Sequence, residues 1–421
     1  MPDLSDKLKA LGVRLGVRHL TPPPPRLDYP IENVIPGRLV DTPAGQAYRV
    51  EQFYPPDYRH GRAGLNLYAP LQVMARWVNE PLVNGAEIKG FAFLDTETSG
   101  LAGGTGTYAF LVGAGRYEGD QFHLAQFFMR DPTEEPAMLL ALEAFLVRST
   151  VLVTFNGKAF DIPLLNTRFA MQGWASPLAD LAHVDLLHLA RRLWRERLPS
   201  RTLGNLEVQI LDAHRTVDEV PGWMIPHIYF DYLRSGDARP MKNVFYHNAM
   251  DVLSMAALLD HTAELLANPM QIPPGNETDQ AAIARIYEDL GELDLAAQLY
   301  RQSLENGLPD RLMKDTLQRL SFLHKRRGEL TPAMELWTKA ANLGHIYAYI
   351  ELAKVYEHTQ KDYSLALGYT EQALEIVRAP SCPPVERLTW MEELEYRLQR
   401  LQNKKRIIRN YRGGHLHGKS Q

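Results

Sequence analysis

Three stretches toward the C-terminal end of the chain repeat one another: "ARIYEDLGELDLAAQLYRQSL" (284–304), "SFLHKRRGELTPAMELWTKAA" (321–341) and "AKVYEHTQKDYSLALGYTEQAL" (353–374). Each places apolar residues at helical spacing on both sides of a mid-repeat turn, with small residues where two helices would cross. One helix pair of this kind cannot bury its apolar face alone. Three in succession therefore commit the chain beyond Pro273-Pro274 to an all-α stack over 278–402, closed by a capping helix in "PPVERLTWMEELEYRLQRLQ" (383–402) and followed by a basic tail over 403–421.

Ahead of those prolines the periodicity changes. Residues 86–268 alternate strand and helix patterns: "GFAFLDTET" (90–98), "TYAFLVGAGRYEGDQFHLAQFFM" (107–129), a helix near 134–147 and "TVLVTFN" (150–156). Gly119-Asp120 sits between two alternating runs and reads as a hairpin turn. Strands that first meander and are then separated by helices predict an α/β domain with a mixed sheet flanked by helices. Residues 1–85 read as a Pro-rich, irregular lead-in: a weak helix over 3–19, a polyproline spacer at Pro22–Pro25, and short strand-like pieces such as "AYRVEQFY" (47–54).

The chemistry is announced by "FLDTETSG" (93–100). Alternate strand residues face one side, so Asp95 and Glu97 present two carboxylates to one point. Like charges brought together away from water repel and are costly to desolvate, and a divalent cation removes both costs. Oxygen donors suit Mg²⁺ or Mn²⁺, and the His residues form no zinc spacing. Two further acids have matching contexts. "TVLVTFNGKAFDIPLL" (150–165) delivers Asp161 at the opening of an apolar helix, and "VFYHNAMDVLSMAALLDH" (244–261) puts His247 and Asp251 on one helix face.

These motifs, in this order, resemble the DEDD 3′–5′ exonucleases of the ribonuclease-H-like superfamily. The longer stretch "LDTETSGLAGGTGTYAFLVGAG" is most similar to the YprB-like branch, in which such a domain precedes tetratricopeptide repeats; the C-terminal repeats resemble that motif too. The resemblance implies a five-stranded mixed sheet and a two-metal centre in which Asp95, Glu97 and Asp251 hold the Mg²⁺ or Mn²⁺ ion that activates water. Asp95 and Asp161 serve the second ion, and His247 is the general base. It also implies that Thr96, Leu101, Asn156 and Phe160 face the substrate. Leu101 has burial in the core as its alternative, and Asn156 a chain-turning role. One departure concerns the base: His247 lies four residues before Asp251, the spacing of the tyrosine branch, while Tyr246 occupies the histidine position.

Other features have plainer readings beside the functional ones. The arginines of "ARRLWRERLPSRTLG" (190–204) suit a single-stranded nucleic acid or a solvated helix face, and "KKRIIRNYRGGHLHGKSQ" (404–421) suits a nucleic-acid tail or a frayed end. The glycines of "GLAGGTGTY" (100–108) permit a tight bend, and Asp185 reads as a helix cap. A net charge of -4 excludes a globally basic nucleic-acid binder but allows a local basic groove. With Cys382 the only cysteine and no apolar run of signal or membrane length, a cytoplasmic protein without membrane attachment is expected. The expected activity is metal-dependent 3′–5′ hydrolysis of single-stranded DNA or RNA ends. The alternatives are a non-cleaving nucleic-acid-binding scaffold that recruits a protein partner through its repeats, and a two-metal hydrolase of small nucleotides.

Overall fold

The computed structural model describes residues 29–100, 106–216, 218–273 and 275–414, with side chains to residue 407. The helix expected over 3–19, the polyproline spacer, Leu101 and the end of the tail lie outside the described residues. The chain divides into two compact units, Met1–Ala267 and Asn268–Gln421. Among the described residues no helix is long and apolar enough to cross a membrane.

A seven-stranded sheet organises the first unit. Its strands are β1 (Arg38–Thr42), β2 (Gly45–Tyr54), β3 (Phe91–Thr98), β4 (Ala109–Glu118), β5 (Gln121–Phe128), β6 (Val151–Thr154) and β7 (Ala182–Asp185), in the order β1-β2-β5-β4-β3-β6-β7. Pairing is antiparallel from β1 through β3 and parallel from β3 to β7, so the sheet is mixed as the strand-helix alternation implied. Gly119, at φ +64°, makes the two-residue turn between β4 and β5. Of the five strands the resemblance implied, the sequence pattern marked β3 to β6, and β7 is the fifth. The lead-in, expected to be irregular, contributes two more, because Tyr48–Tyr54 pair along the outer edge of β5. That edge is apolar and would otherwise expose a row of open backbone groups. The same pairing brings Glu51 to 2.9 Å from His123 Nε2.

Helices cover both faces. On one, Ala92, Leu94, Val112 and Ala114 join a core with α1 (Glu135–Leu146), through residues such as Leu139 and Leu142. The opposite face carries Phe93, Asp95, Gly113 and Gly115, and against it lies the 27-residue helix α5 (Met241–Ala267). The approach is close: a Cβ on Gly113 would fall 2.3 Å from Asn248 Oδ1, and one on Gly115 would fall 2.9 Å from Val252 Cγ1. Between β6 and β7 runs α2 (Asp161–Met171), followed by α3 (Leu186–Trp194) and α4 (Ile225–Ser235). Tyr229 of α4 stacks on Phe110 at 3.9 Å and donates its hydroxyl to the Met129 carbonyl.

The second unit is helical throughout: α6 (Glu277–Asp289), α7 (Leu293–Asn306), α8 (Asp310–Arg326), α9 (Leu330–Asn342), α10 (Ile346–His358), α11 (Tyr363–Arg378) and α12 (Pro384–Gly414). The last helix runs past residue 402, where the sequence pattern had ended it, and carries the first part of the basic tail. Its Arg397, Arg400 and Lys404 converge on the buried carboxylate of Glu357 in α10, at 3.1, 2.6 and 2.8 Å, and that anchorage extends the helix. The turns within the first two repeats use Gly291 and Gly328 at φ +81° and +76°. In the third repeat the same left-handed position is held by Lys361 at φ +57°.

Two substitutions test these readings. Lys361→Gly should stabilise the helical unit by about 0.5–1 kcal/mol, since a side chain in the left-handed region costs roughly 1–2 kcal/mol against a smaller entropic penalty for glycine. Chemical denaturation should show a later unfolding midpoint. Gly113→Ala should cost about 1–3 kcal/mol, because Asn248 and α5 must shift to admit one methyl. An unchanged midpoint in that variant would contradict the close helix-sheet approach.

Candidate active site

β3 pairs with β6 only from Phe91 to Phe93, so the last residues of β3 overhang that neighbour and Asp95 and Glu97 stand at the open end of the sheet. Beyond β6 the chain turns through Asn156, held left-handed at φ +67°. Asp185, at the end of β7, fastens this loop. Its carboxylate accepts the N–H groups of Asn156 at 2.8 Å and Lys158 at 3.1 Å, and also caps α3 through Leu187 N–H at 3.0 Å. The loop is thus fixed so that α2 opens with Asp161, at a helix N-terminus that favours a negative charge. Thr96 Oγ1 donates to Asp161 Oδ1 at 2.5 Å and ties the loop to β3.

Asp251 arrives from α5, and the four carboxylates lie close enough to perturb one another. Burial pushes Asp95 well above the usual carboxylate range, and the charges of Asp251, Glu97 and Asp161 push it further. Burial likewise raises Glu97, with Asp251 and Asp161 adding to the effect. Asp161 and Asp251 are also raised chiefly by burial, moderated by the Thr96 hydroxyl in the first case and by Arg215 and His247 in the second. Asp95 is aimed by a hydrogen-bonded chain. Gln126 Nε2 donates to Asn248 Oδ1 at 2.9 Å, and Asn248 Nδ2 donates to Asp95 Oδ2 at 2.9 Å.

His247 stands one turn before Asp251 on the same helix face. Its Nδ1 lies 2.6 Å from Glu219 Oε1, and its Nε2 lies 3.6 Å from Asp251 Oδ2. Arg215 Nη1 lies 3.2 Å from the same Nδ1, and Nε2 is the ring nitrogen turned toward the acids. Tyr246 faces elsewhere: its hydroxyl accepts the Thr216 N–H at 2.9 Å.

A guanidinium enters the same centre. Arg215 bonds Glu207 through Nε at 2.6 Å and through Nη2, reaches Asp251 with Nη2, and meets Glu219 Oε1 with Nη1 at 2.9 Å. Burial alone would lower its pKa, but the Glu207 and Asp251 carboxylates outweigh that and raise it. Glu207 lies in a π-helical turn, Glu207–Leu211, and accepts the Ser254 hydroxyl at 2.7 Å, which in turn meets His60 Nε2 at 2.7 Å. The lead-in also braces this turn through Arg62 N–H to the Leu211 carbonyl at 2.7 Å. Arg215, Glu219, Glu207 and Gln126 had no signal in the sequence. Asn248 had one: it lies three residues before Asp251 and so near the same helix face.

The donors fit a divalent cation. They are carboxylate oxygens with one histidine nearby, and among the described residues Glu97 Oε1 is buried with no hydrogen-bond partner. Among the described residues no three His, Cys, Asp or Glu side chains stand close enough together to hold a metal ion as they lie; on the Asp251 side Arg215 supplies the positive charge instead.

The remaining candidates are placed as follows. Phe160, 61% exposed, stands immediately before Asp161. The Thr96 hydroxyl is engaged by Asp161, and Asn156 is held by its backbone at the turn. Arg191 and Arg195 are exposed around the end of α3. His183 bonds the Thr154 hydroxyl at 2.8 Å.

Comparison with known proteins places this geometry. Residues 92–263 match the model of the RNase H superfamily, which spans the acid-bearing strands and α5, and residues 281–312 match a tetratricopeptide repeat. Among solved structures, the family B DNA polymerase from the hyperthermophilic archaeon Pyrobaculum calidifontis overlaps 56% of this chain at 13% identity, with a TM-score of 0.32. The chain spans 29% of that polymerase, too slight a likeness to bear on fold or activity. The protein YprB of Bacillus subtilis (strain 168) is 33% identical over 365 residues, covering 83% of this chain and 84% of that protein, and the chain therefore belongs to the YprB family.

Proposed function

We propose that the protein is a metal-dependent 3′–5′ exonuclease acting on single-stranded DNA or RNA ends. The observation that carries this reading is the proximity of Asp95, Glu97, Asp161 and Asp251, from three separate segments, together with a buried Glu97 oxygen that has no partner among the described residues. Such a cluster is unfavourable for folding and gains nothing structurally from four acids; a centre that binds cations and a phosphodiester gives them a use.

Asp95, Glu97 and Asp251 would hold one Mg²⁺ or Mn²⁺ ion, and Asp95 with Asp161 a second. When bound, the ions supply an activated water and neutralise charge on the leaving oxygen. His247 would accept a proton through Nε2 as general base, with Glu219 on Nδ1 orienting the ring. Asn248 and Gln126 keep the Asp95 carboxylate in one orientation. Phe160 offers an exposed ring against which a terminal base can stack, and stacking is tolerant of base identity. The helical repeats would recruit a protein partner. Cytoplasmic location belongs to the same reading, in keeping with a nucleic-acid substrate and a single buried thiol.

The test is degradation of end-labelled single-stranded DNA and RNA with Mn²⁺. Shortening from the 3′ end should require metal. It should fall in Asp95→Ala and Asp161→Asn by more than the roughly hundredfold seen when an outer-shell partner is lost, and in His247→Ala by about 10²–10⁴-fold. Nucleic-acid binding without shortening under any metal condition would instead make the protein a non-cleaving scaffold.

A further inference from the structure

We propose that Arg215 is a resident cation that competes with divalent metal for the Asp251 side of the site, so that metal affinity there is set by a side chain this chain itself supplies. The inference rests on the metal-dependent reading above and concerns how the site is loaded.

The geometry assigns Arg215 two distinct attachments. Toward the protein interior its Nε and Nη2 form a fork onto Glu207, whose own side chain is fixed by Ser254 and whose π-helical turn is braced by Arg62. Toward the site, Nη2 also reaches Asp251 Oδ1, and Nη1 reaches Glu219 Oε1 and lies 3.2 Å from His247 Nδ1. The first attachment is saturated within the protein. The second occupies Asp251 Oδ1, an oxygen of a carboxylate that would hold a metal ion. A cation entering at Asp251 must therefore displace the guanidinium from that oxygen, while the Glu207 fork keeps Arg215 at the rim. Arginine suits this place better than lysine, because its planar fork can hold Glu207 and still present an N–H to a second acid.

The arrangement also accounts for an asymmetry. Asp251 Oδ1 is engaged by the guanidinium, whereas Glu97 Oε1 is buried and has no partner among the described residues. Glu97 would thus offer an open oxygen to the ion it shares with Asp95 and Asp251, while the Asp251 oxygen would be engaged only against Arg215.

Calorimetric titration of the full-length protein with Mn²⁺, alongside thermal unfolding with and without Mn²⁺, tests this. In Arg215→Met the metal-free protein should unfold earlier. Its Mn²⁺ affinity should nevertheless tighten by about ten- to a hundredfold, the equilibrium counterpart of removing one charge-assisted hydrogen bond. Damage to the fold would weaken binding, so the direction of change separates competition from a purely structural role. Arg215→Lys, which keeps the charge but loses the fork, should tighten binding by a smaller factor and serves if the methionine variant fails to fold. Equal or weaker Mn²⁺ affinity in the folded variant overturns the proposal. If the wild-type protein binds no Mn²⁺, or Asp95→Asn leaves its binding unchanged, the metal-dependent reading itself falls, and this inference with it.

Discussion

Crowding of like charges in a place water only partly reaches is the constraint around which the first unit is built. Burial raises the proton affinity of Asp95, Glu97, Asp161 and Asp251, and the charges of Asp251 and Asp161 raise that of Asp95 and Glu97 further. A fold that tolerates such a cluster must relieve it locally. Here relief comes from neutral donors on Asp95 and Asp161, supplied by Asn248 and Thr96, and from a buried guanidinium on Asp251. Glu97 retains an oxygen that no described group satisfies, so the centre remains short of positive charge.

Holding that centre in register falls to backbone contacts distant from the acids. α5 delivers Asp251, His247 and Asn248 only because Gly113 and Gly115 let it lie close against β4. The loop before Asp161 is secured by a single carboxylate, Asp185, that serves three N–H groups from two elements. The N-terminal segment takes part as well. β2 closes the exposed edge of β5, and His60 and Arg62 support the turn that carries Glu207, which positions Arg215. A segment that reads in sequence as an irregular lead-in is thereby joined to the site through hydrogen bonds.

Much of this was legible from local pattern. Strand periodicity put Asp95 and Glu97 on one side, helical periodicity put His247 and Asp251 on one face, and a two-residue Gly119-Asp120 link predicted the hairpin that the sheet contains. The repeats were visible because each copy renews the same apolar spacing, even where Lys361 replaces the turn glycine. The parts that escaped are contacts between segments far apart in the chain. Arg215 and Glu219 lie in an irregular loop with no period to read. The pairing of β2 with β5 depends on which edge is left open, which no single strand pattern states.

The sequence by itself determined the two folding regimes, the mixed sheet followed by helix pairs, and which acids could share a face, because those follow from periods of 2 and 3.6 residues along the chain. Tertiary structure alone decided that a guanidinium would stand beside Asp251 and that the lead-in would complete the sheet. The physical reason is one of range. Side-chain direction within an element is fixed by backbone geometry, whereas the charge that meets a carboxylate is fixed by whichever distant segment reaches it through space.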